Sequence, residues 1–377
     1  MATSGQPLFQ WNAKRHAFRG GRKILDLHLR MKPTILGKFL LTLAVGALGG
    51  GVLWYLHMPL AWLLGAMIAC GIGALLRLPL ALPAFARPPM TATIGAMLGT
   101  SFSPSVFEHV GLWIVSLCGL GVFIAVAGSV TYLYFRLIAG FDHATAYFSA
   151  MPGGLVEMVT LGAERGGDEK MIALIHAARI FLVVLCLPFL IQLVTGQAIA
   201  RSGSNFIPVS TVQFEDLLWF LAAMALGVAL GTVLRFPARY LLGPMAVSAS
   251  LHYFGLTDFQ LPSPALGAAQ VIIGATVGCR FVNTPSRMIL GVIGLSIGST
   301  LLLLCTSLTF ALMISMWTGD RLVGLVLAYS PGGVAEMSLI ALSLGIEVPF
   351  VVLHHIVRVL LVVAGSTAVF RFTKNRL

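Results

Sequence analysis

The polar residues of this chain are confined to short interruptions between long apolar runs. Runs at 39–54, 110–135, 171–194, 217–234, 288–317 and 351–370 approach or exceed the ~20 residues that a helix needs to cross a bilayer. Further apolar stretches near 60–76, 90–102, 240–256 and 264–279 are shorter and rich in glycine. Such spans suit the inside of a helical bundle, where neighbours shelter them and small residues let backbones approach. The pattern predicts an all-α polytopic membrane protein.

The pattern also repeats. Met151-Pro-Gly-Gly-Leu-Val-Glu-Met158 returns as Ser330-Pro-Gly-Gly-Val-Ala-Glu-Met337, a shift of 330 − 151 = 179 positions. A shift of 178 or 179 also pairs Pro59 with Pro237, Leu64-Gly65 with Leu242-Gly243 and Met67 with Met245. It carries Ile94-Gly95-Ala96 onto Ile273-Gly274-Ala275, Gly99 onto Gly278 and Phe102 onto Phe281, and downstream His176 onto His355 and Arg179 onto Arg358. The chain therefore reads as a duplication, with a basic tail at 1–33, one membrane repeat at 35–195, a linker at 196–213 and a second repeat at 214–372. Gly196, Ser202, Gly203, Ser204 and Pro208 give that linker the polarity of an exposed connection.

Composition supports the membrane reading: of 377 residues, 58% are hydrophobic and only 10% charged, too little polar surface to clothe a soluble globule. The net charge of +11 could point to nucleic acid, but eight of the 24 basic residues lie between Lys14 and Lys38. That cluster fits a cytoplasmic anchor on an anionic membrane face better than direct nucleic-acid binding. No apolar core precedes the first span, so no secretory signal is expected there. Cys70, Cys118, Cys186, Cys279 and Cys305 are scattered singly through apolar segments, with no CxxC or Cys/His spacing. No disulfide framework, metal site or cofactor is expected.

The charges also choose between topologies. If the Pro-Gly-Gly segments re-enter, each repeat has five spans, and the tail joins Arg77, Arg87, Arg136, Arg165, Lys170, Arg235, Arg239, Arg280, Arg287, Arg371, Lys374 and Arg376 inside, leaving Arg201 and Arg321 outside: 20 against 2. If they cross, Arg165, Lys170, Arg235, Arg239, Arg280 and Arg287 move outside and the last two move in, 16 against 6. The positive-inside rule favours five. An odd number inverts the second repeat relative to the first, a plan used by many secondary transporters, in which broken helices meet near the midplane.

The chemistry concentrates in the repeated motifs. Pro152-Gly153-Gly154 and Pro331-Gly332-Gly333 end one apolar segment and free the N–H groups that begin a new half-helix, an end that attracts anions. Glu157 and Glu336, three residues past the second glycine, can cap that helix start or contact a substrate, a proton or an ion. His176 with Arg179, and His355 with Arg358, each share a helix face. An Arg in an apolar helix needs a partner, either a motif Glu or an anionic substrate group held bidentately. The histidines can exchange a proton near neutral pH, while His354, opposite Ile175, carries less weight. Met158 and Met337 read as packing. The two Glu and two His could also form a dinuclear metal centre, but the i, i+3 or i, i+4 pairing of such sites is missing.

With these motifs in place, the sequence resembles the AbrB family of duplicated bacterial membrane proteins over about 35–372, the basic tail falling outside. The resemblance implies that Pro152, Gly153, Gly154, Glu157, Pro331, Gly332, Gly333 and Glu336 are family signature positions. It also brings two labels, ammonia monooxygenase and regulator of gene expression. The residues themselves favour a different expectation: a proton-coupled secondary transporter of the bacterial inner membrane, N-terminus in the cytoplasm. It would carry a small anionic or zwitterionic metabolite through a site between the repeats. Its partners would be the lipid bilayer, that substrate and a proton or other coupling ion, with no direct nucleic acid. The oligomeric state stays open, homo-oligomers included. A membrane sensor acting on a cytosolic partner through the tail is the alternative, and a metal-dependent oxidase a more distant one.

Overall fold

The computed structural model describes residues 32–102, 110–195 and 207–374; the basic tail and most of the linker lie outside the described residues. Among the described residues it is all-helical, with fourteen α-helices and no strand. The first seven are α1 (Lys32–Tyr55), α2 (Ala61–Leu75), α3 (Arg87–Gly99), α4 (Ile114–Leu137), α5 (His143–Ala150), α6 (Leu155–Glu164) and α7 (Glu169–Thr195). The next seven are α8 (Phe214–Val233), α9 (Arg239–Tyr253), α10 (Ser263–Gly278), α11 (Ser286–Thr318), α12 (Leu322–Tyr329), α13 (Val334–Ser343) and α14 (Val348–Lys374). Helices α12, α13 and α14 begin 179 positions after α5, α6 and α7 (322 − 143, 334 − 155 and 348 − 169).

Seven helices are long and apolar enough to cross a membrane, and large apolar side chains such as Leu48, Leu133, Leu193, Leu226 and Met316 point outward. Apolar surface on that scale would drive association in water but is at home in lipid. The apolar windows of α1 and α8 are only 17% buried, whereas that of α7 is 61% buried. The protein is thus a multi-pass membrane protein, with α1 and α8 at its rim and α7 in its interior.

The short helices pack by backbone approach. A side chain at Gly95 in α3 would run into the carbonyl of Leu241 in α9, and one at Gly274 in α10 into that of Leu63 in α2. One turn on, Gly99 meets the Met245 carbonyl at 2.6 Å and Gly278 the Met67 carbonyl at 2.6 Å, measured from the position a Cβ would take. Each half of the chain therefore lays its α3-like helix across the α2-like helix of the other half, and only glycine fits at the crossing. The same approach packs Cys279 against Cys70 of α2, whose thiol points to the Thr42 carbonyl.

The Pro-Gly-Gly segments separate two short helices in each half. Helix α5 has eight residues and α6 ten, about 12 and 15 Å at 1.5 Å per residue, each near half of a ~30 Å hydrocarbon layer. The two run as a hairpin. The Asp168 amide, past the end of α6, donates to Thr145 Oγ1 at the start of α5 over 2.8 Å. Asp142 caps α5 from the same turn, its Oδ1 accepting from the Thr145 amide. In the second half, Gly324 at the start of α12 faces Ile346, past the end of α13. Each broken pair thus brings its start and its end together.

Candidate functional site

Local sequence dictates each break. Met151 (φ −61°, ψ 130°) and Ser330 (φ −61°, ψ 137°) are extended, as the residue before proline must be, so α5 and α12 stop there. The glycines that follow are needed for space rather than for a left-handed backbone, since Gly154 (φ −66°) and Gly333 (φ −78°) lie where any residue can. A side chain on Gly153 would meet Met158 Sδ at 3.0 Å, and one on Gly332 would meet Met337 Sδ at 2.8 Å. Side chains on Gly154 and Gly333 would collide with Glu157 Oε2 and Glu336 Oε2. The first glycine of each motif makes room for the methionine of the next turn, and the second for the glutamate. Both carboxylates fold back over the first turn of their own half-helix, where the positive end of the helix dipole offsets part of the cost of the charge.

The His-x-x-Arg pairs hold the other side of each break. His176 Nε2 donates to the Phe148 carbonyl (2.8 Å) and Arg179 Nη1 to that of Met151 (3.1 Å), the end of α5. In the second half His355 Nε2 donates to the Leu327 carbonyl (3.1 Å), while Arg358 donates to the carbonyls of Ser330 and, at 2.8 Å, Gly332. The guanidiniums therefore spend their donors on carbonyls that the broken helices leave free, at the negative end of the dipole. Both arginines are 3% exposed. The sequence had left Glu and substrate as the partners; the structure supplies backbone oxygens. A guanidinium can only donate, so the 2.9 Å contact from Arg179 Nη2 makes His176 Nδ1 an acceptor and assigns a neutral ring protonated at Nε2.

In front of the breaks lies a cavity of about 480 Å³. It brings together the starts of α6 and α13, with Gly154, Glu157, Gly333 and Glu336 in its wall, and adds Ala177 and Ile180 of α7 and Ile356 and Val359 of α14. Glu336 is buried and Glu157 half-buried. Pro152, Gly153, His176, Arg179, Pro331, Gly332, His355 and Arg358 are not in that wall; they sit behind it as its scaffold. Two cations that sequence reasoning counted only as loop charges do reach it: Arg87, at the first position of α3, and Arg280, just past α10. Both are exposed. Thr91, Tyr240 and Thr276 supply further hydroxyls. A sequence signal did exist, because Arg87 opens and Arg280 closes the same two short helices that carry the crossing glycines.

Helices of this length around a largely apolar cavity that carries charges of both signs define a multi-pass membrane protein with a pocket of small-molecule size. The chain belongs to the AbrB family: the family described as transition state regulatory protein AbrB matches residues 62–374. It is similar to the protein of Bacillus subtilis (strain 168) named "Uncharacterized protein YhjN", with 28% identity over 352 residues, 85% of this chain and 89% of that one. It is also similar to the protein of Escherichia coli (strain K12) named "Putative regulator AbrB", with 26% identity over 320 residues, 84% of this chain and 90% of the relative.

Proposed function

We propose that the protein is a proton-coupled secondary transporter of a small anionic or zwitterionic metabolite, resident in the bacterial inner membrane. The observation that carries this is the 480 Å³ cavity shared by the two half-helices, with Glu157 and Glu336 at their starts and Arg87 and Arg280 facing the same space. Two carboxylates and two guanidiniums around apolar walls suit a compact solute bearing an anionic group. Glu157 and Glu336 carry protons: each occupies the half-helix start that would otherwise attract an anion, and protonation would release it. The hairpin form of α5–α6 and α12–α13 supports re-entry, hence five crossings per half, a second repeat (214–372) inverted relative to the first (35–195), and a cytoplasmic N-terminal tail. The reciprocal glycine crossings supply the interface over which the halves rock.

The name of the Escherichia coli relative and the family description carry a second reading, in which the cavity senses a ligand and the signal leaves through the tail at residues 1–33. One experiment separates the two. The detergent-purified protein is screened by thermal shift against metabolite anions, amines and divalent metals, and the stabilising compound is then offered to proteoliposomes. The transporter reading expects stabilisation by one anion class, weakened in Arg87→Gln and Arg280→Gln, and uptake driven by a proton gradient that Glu157→Gln and Glu336→Gln abolish. Binding without uptake supports a sensor. Stabilisation by a divalent metal alone, lost in the Glu variants, would sink both.

A further inference from the structure

His354 is a buried titratable group that the mechanism above leaves unused. His354 sits beside His355 on α14, fully buried, and sequence symmetry gave it little weight because its counterpart is Ile175. Its Nδ1 lies 2.8 Å from the Phe350 carbonyl, which can only accept, so Nδ1 carries a proton. Its Nε2 lies 2.9 Å from Ser116 Oγ of α4, and that hydroxyl is also 2.9 Å from the Trp113 carbonyl. The serine has one proton and two acceptors in reach. When His354 is neutral, the hydroxyl donates to Nε2. When His354 takes a second proton, Nε2 donates to the hydroxyl, which turns its own proton to Trp113. Both states satisfy the two imidazole nitrogens and the serine hydroxyl without moving a heavy atom.

The other two core histidines lack this freedom. Arg179 donates into His176 Nδ1, and His355 Nδ1 is buried without a partner, next to a helix neighbour one turn away that is a guanidinium. Asp320 lies half-buried at the turn between α11 and α12, its Oδ2 accepting from Thr318 Oγ1. Tyr329 of α12 donates to the Ser116 carbonyl and pins that turn of α4, and its ring lies 6.3 Å from the imidazole. On α14 itself the titratable neighbour is His355, and on α4 the further one is Cys118. The whole unit occurs once: 179 positions away, Ser116 corresponds to Leu295, Tyr329 to Ala150 and His354 to Ile175.

We infer that His354, with Ser116 as its reorienting hydroxyl, is a proton-binding site of this protein, placed in the second half alone. This deepens the transporter reading by giving the coupling proton a second station apart from Glu157 and Glu336, and it rests on that reading for its purpose, not for its test.

The test is the protonation state itself. The full chain, labelled with 15N at histidine and placed in lipid nanodiscs, is followed by NMR between about pH 3 and about pH 8, a range that takes in the free imidazole value and the acid side of it. One buried ring is expected to convert between a neutral form protonated at Nδ1 and the imidazolium. That signal should vanish in His354→Gln, and its midpoint should move in Ser116→Ala. His176 should stay neutral and protonated at Nε2 throughout. A His354 signal that holds one state across the range overturns the proposal, as does a titrating buried signal that survives in His354→Gln. The wild-type and Ser116→Ala spectra decide the matter even where His354→Gln does not fold. If instead the ring titrates but proteoliposomes show no proton-driven uptake, the site stands and the transporter reading fails.

Discussion

Replacing Arg358 by lysine tests whether the buried guanidiniums hold the scaffold or the substrate. Arg358 donates to the carbonyls of Ser330 and Gly332, on either side of Pro331, and is 3% exposed. Lysine is a point donor that can reach one of these oxygens but cannot span both. A buried carbonyl left without a donor costs about 1–3 kcal/mol, so Arg358→Lys should destabilise by about that amount. Alanine frees both oxygens, for a loss of about 3–5 kcal/mol. Arg179 has a single carbonyl partner, Met151, besides His176, so Arg179→Lys should cost less than Arg358→Lys. Apparent melting temperatures in one detergent would read the order wild type, Arg179→Lys, Arg358→Lys, Arg358→Ala, with steps of roughly 2 °C per kcal/mol for a long chain. Affinity for the stabilising anion should be unchanged in both lysine variants. If Arg358→Lys melted like the wild type while losing anion stabilisation, the guanidinium would face the substrate, and the capping account would fall.

Two further outcomes follow from contacts that differ in rigidity. Gly274→Ala would press a methyl group against the backbone oxygen of Leu63, which cannot yield without separating α10 from α2, at about 1–3 kcal/mol; Gly333→Ala meets only Glu336 Oε2, which can swing aside, and should lose under about 1 kcal/mol yet impair proton-driven uptake. Equal melting points for these variants would refute the distinction. Copper-phenanthroline oxidation should link Cys70 to Cys279, so that the halves of a protein cleaved at an inserted protease site in the linker stay joined on a non-reducing gel. Halves that separate would show that the two thiols do not meet in the membrane.

How much was legible follows from the range of each force. The apolar runs, the two breaks and the equivalence of α5–α7 with α12–α14 were readable because hydrophobic length, a proline's missing donor and a repeated string act locally. The motif's inner logic was only half readable. That glycine was required could be seen, but that Gly154 makes room for Glu157 and Gly153 for Met158 depends on rotamers that the string does not state.

Tertiary structure decided where the charges go. The sequence placed Arg179 and Arg358 on apolar helices and demanded partners for them, but the oxygens they found lie 26 to 28 positions back, brought close by the return of a hairpin. Arg87 and Arg280 read as loop charges until the crossings of α3 with α9 and α10 with α2 turned them toward the cavity. Cys70 and Cys279, isolated in the sequence, meet at the same crossings. The cluster of Ser116, Tyr329 and His354 draws on three helices up to 238 positions apart, and no periodicity predicts it. The sequence determined which groups had to leave water and therefore had to be satisfied. Only the folded chain could determine by what, because a hydrogen bond is fixed by angstroms in space and not by separation along the chain.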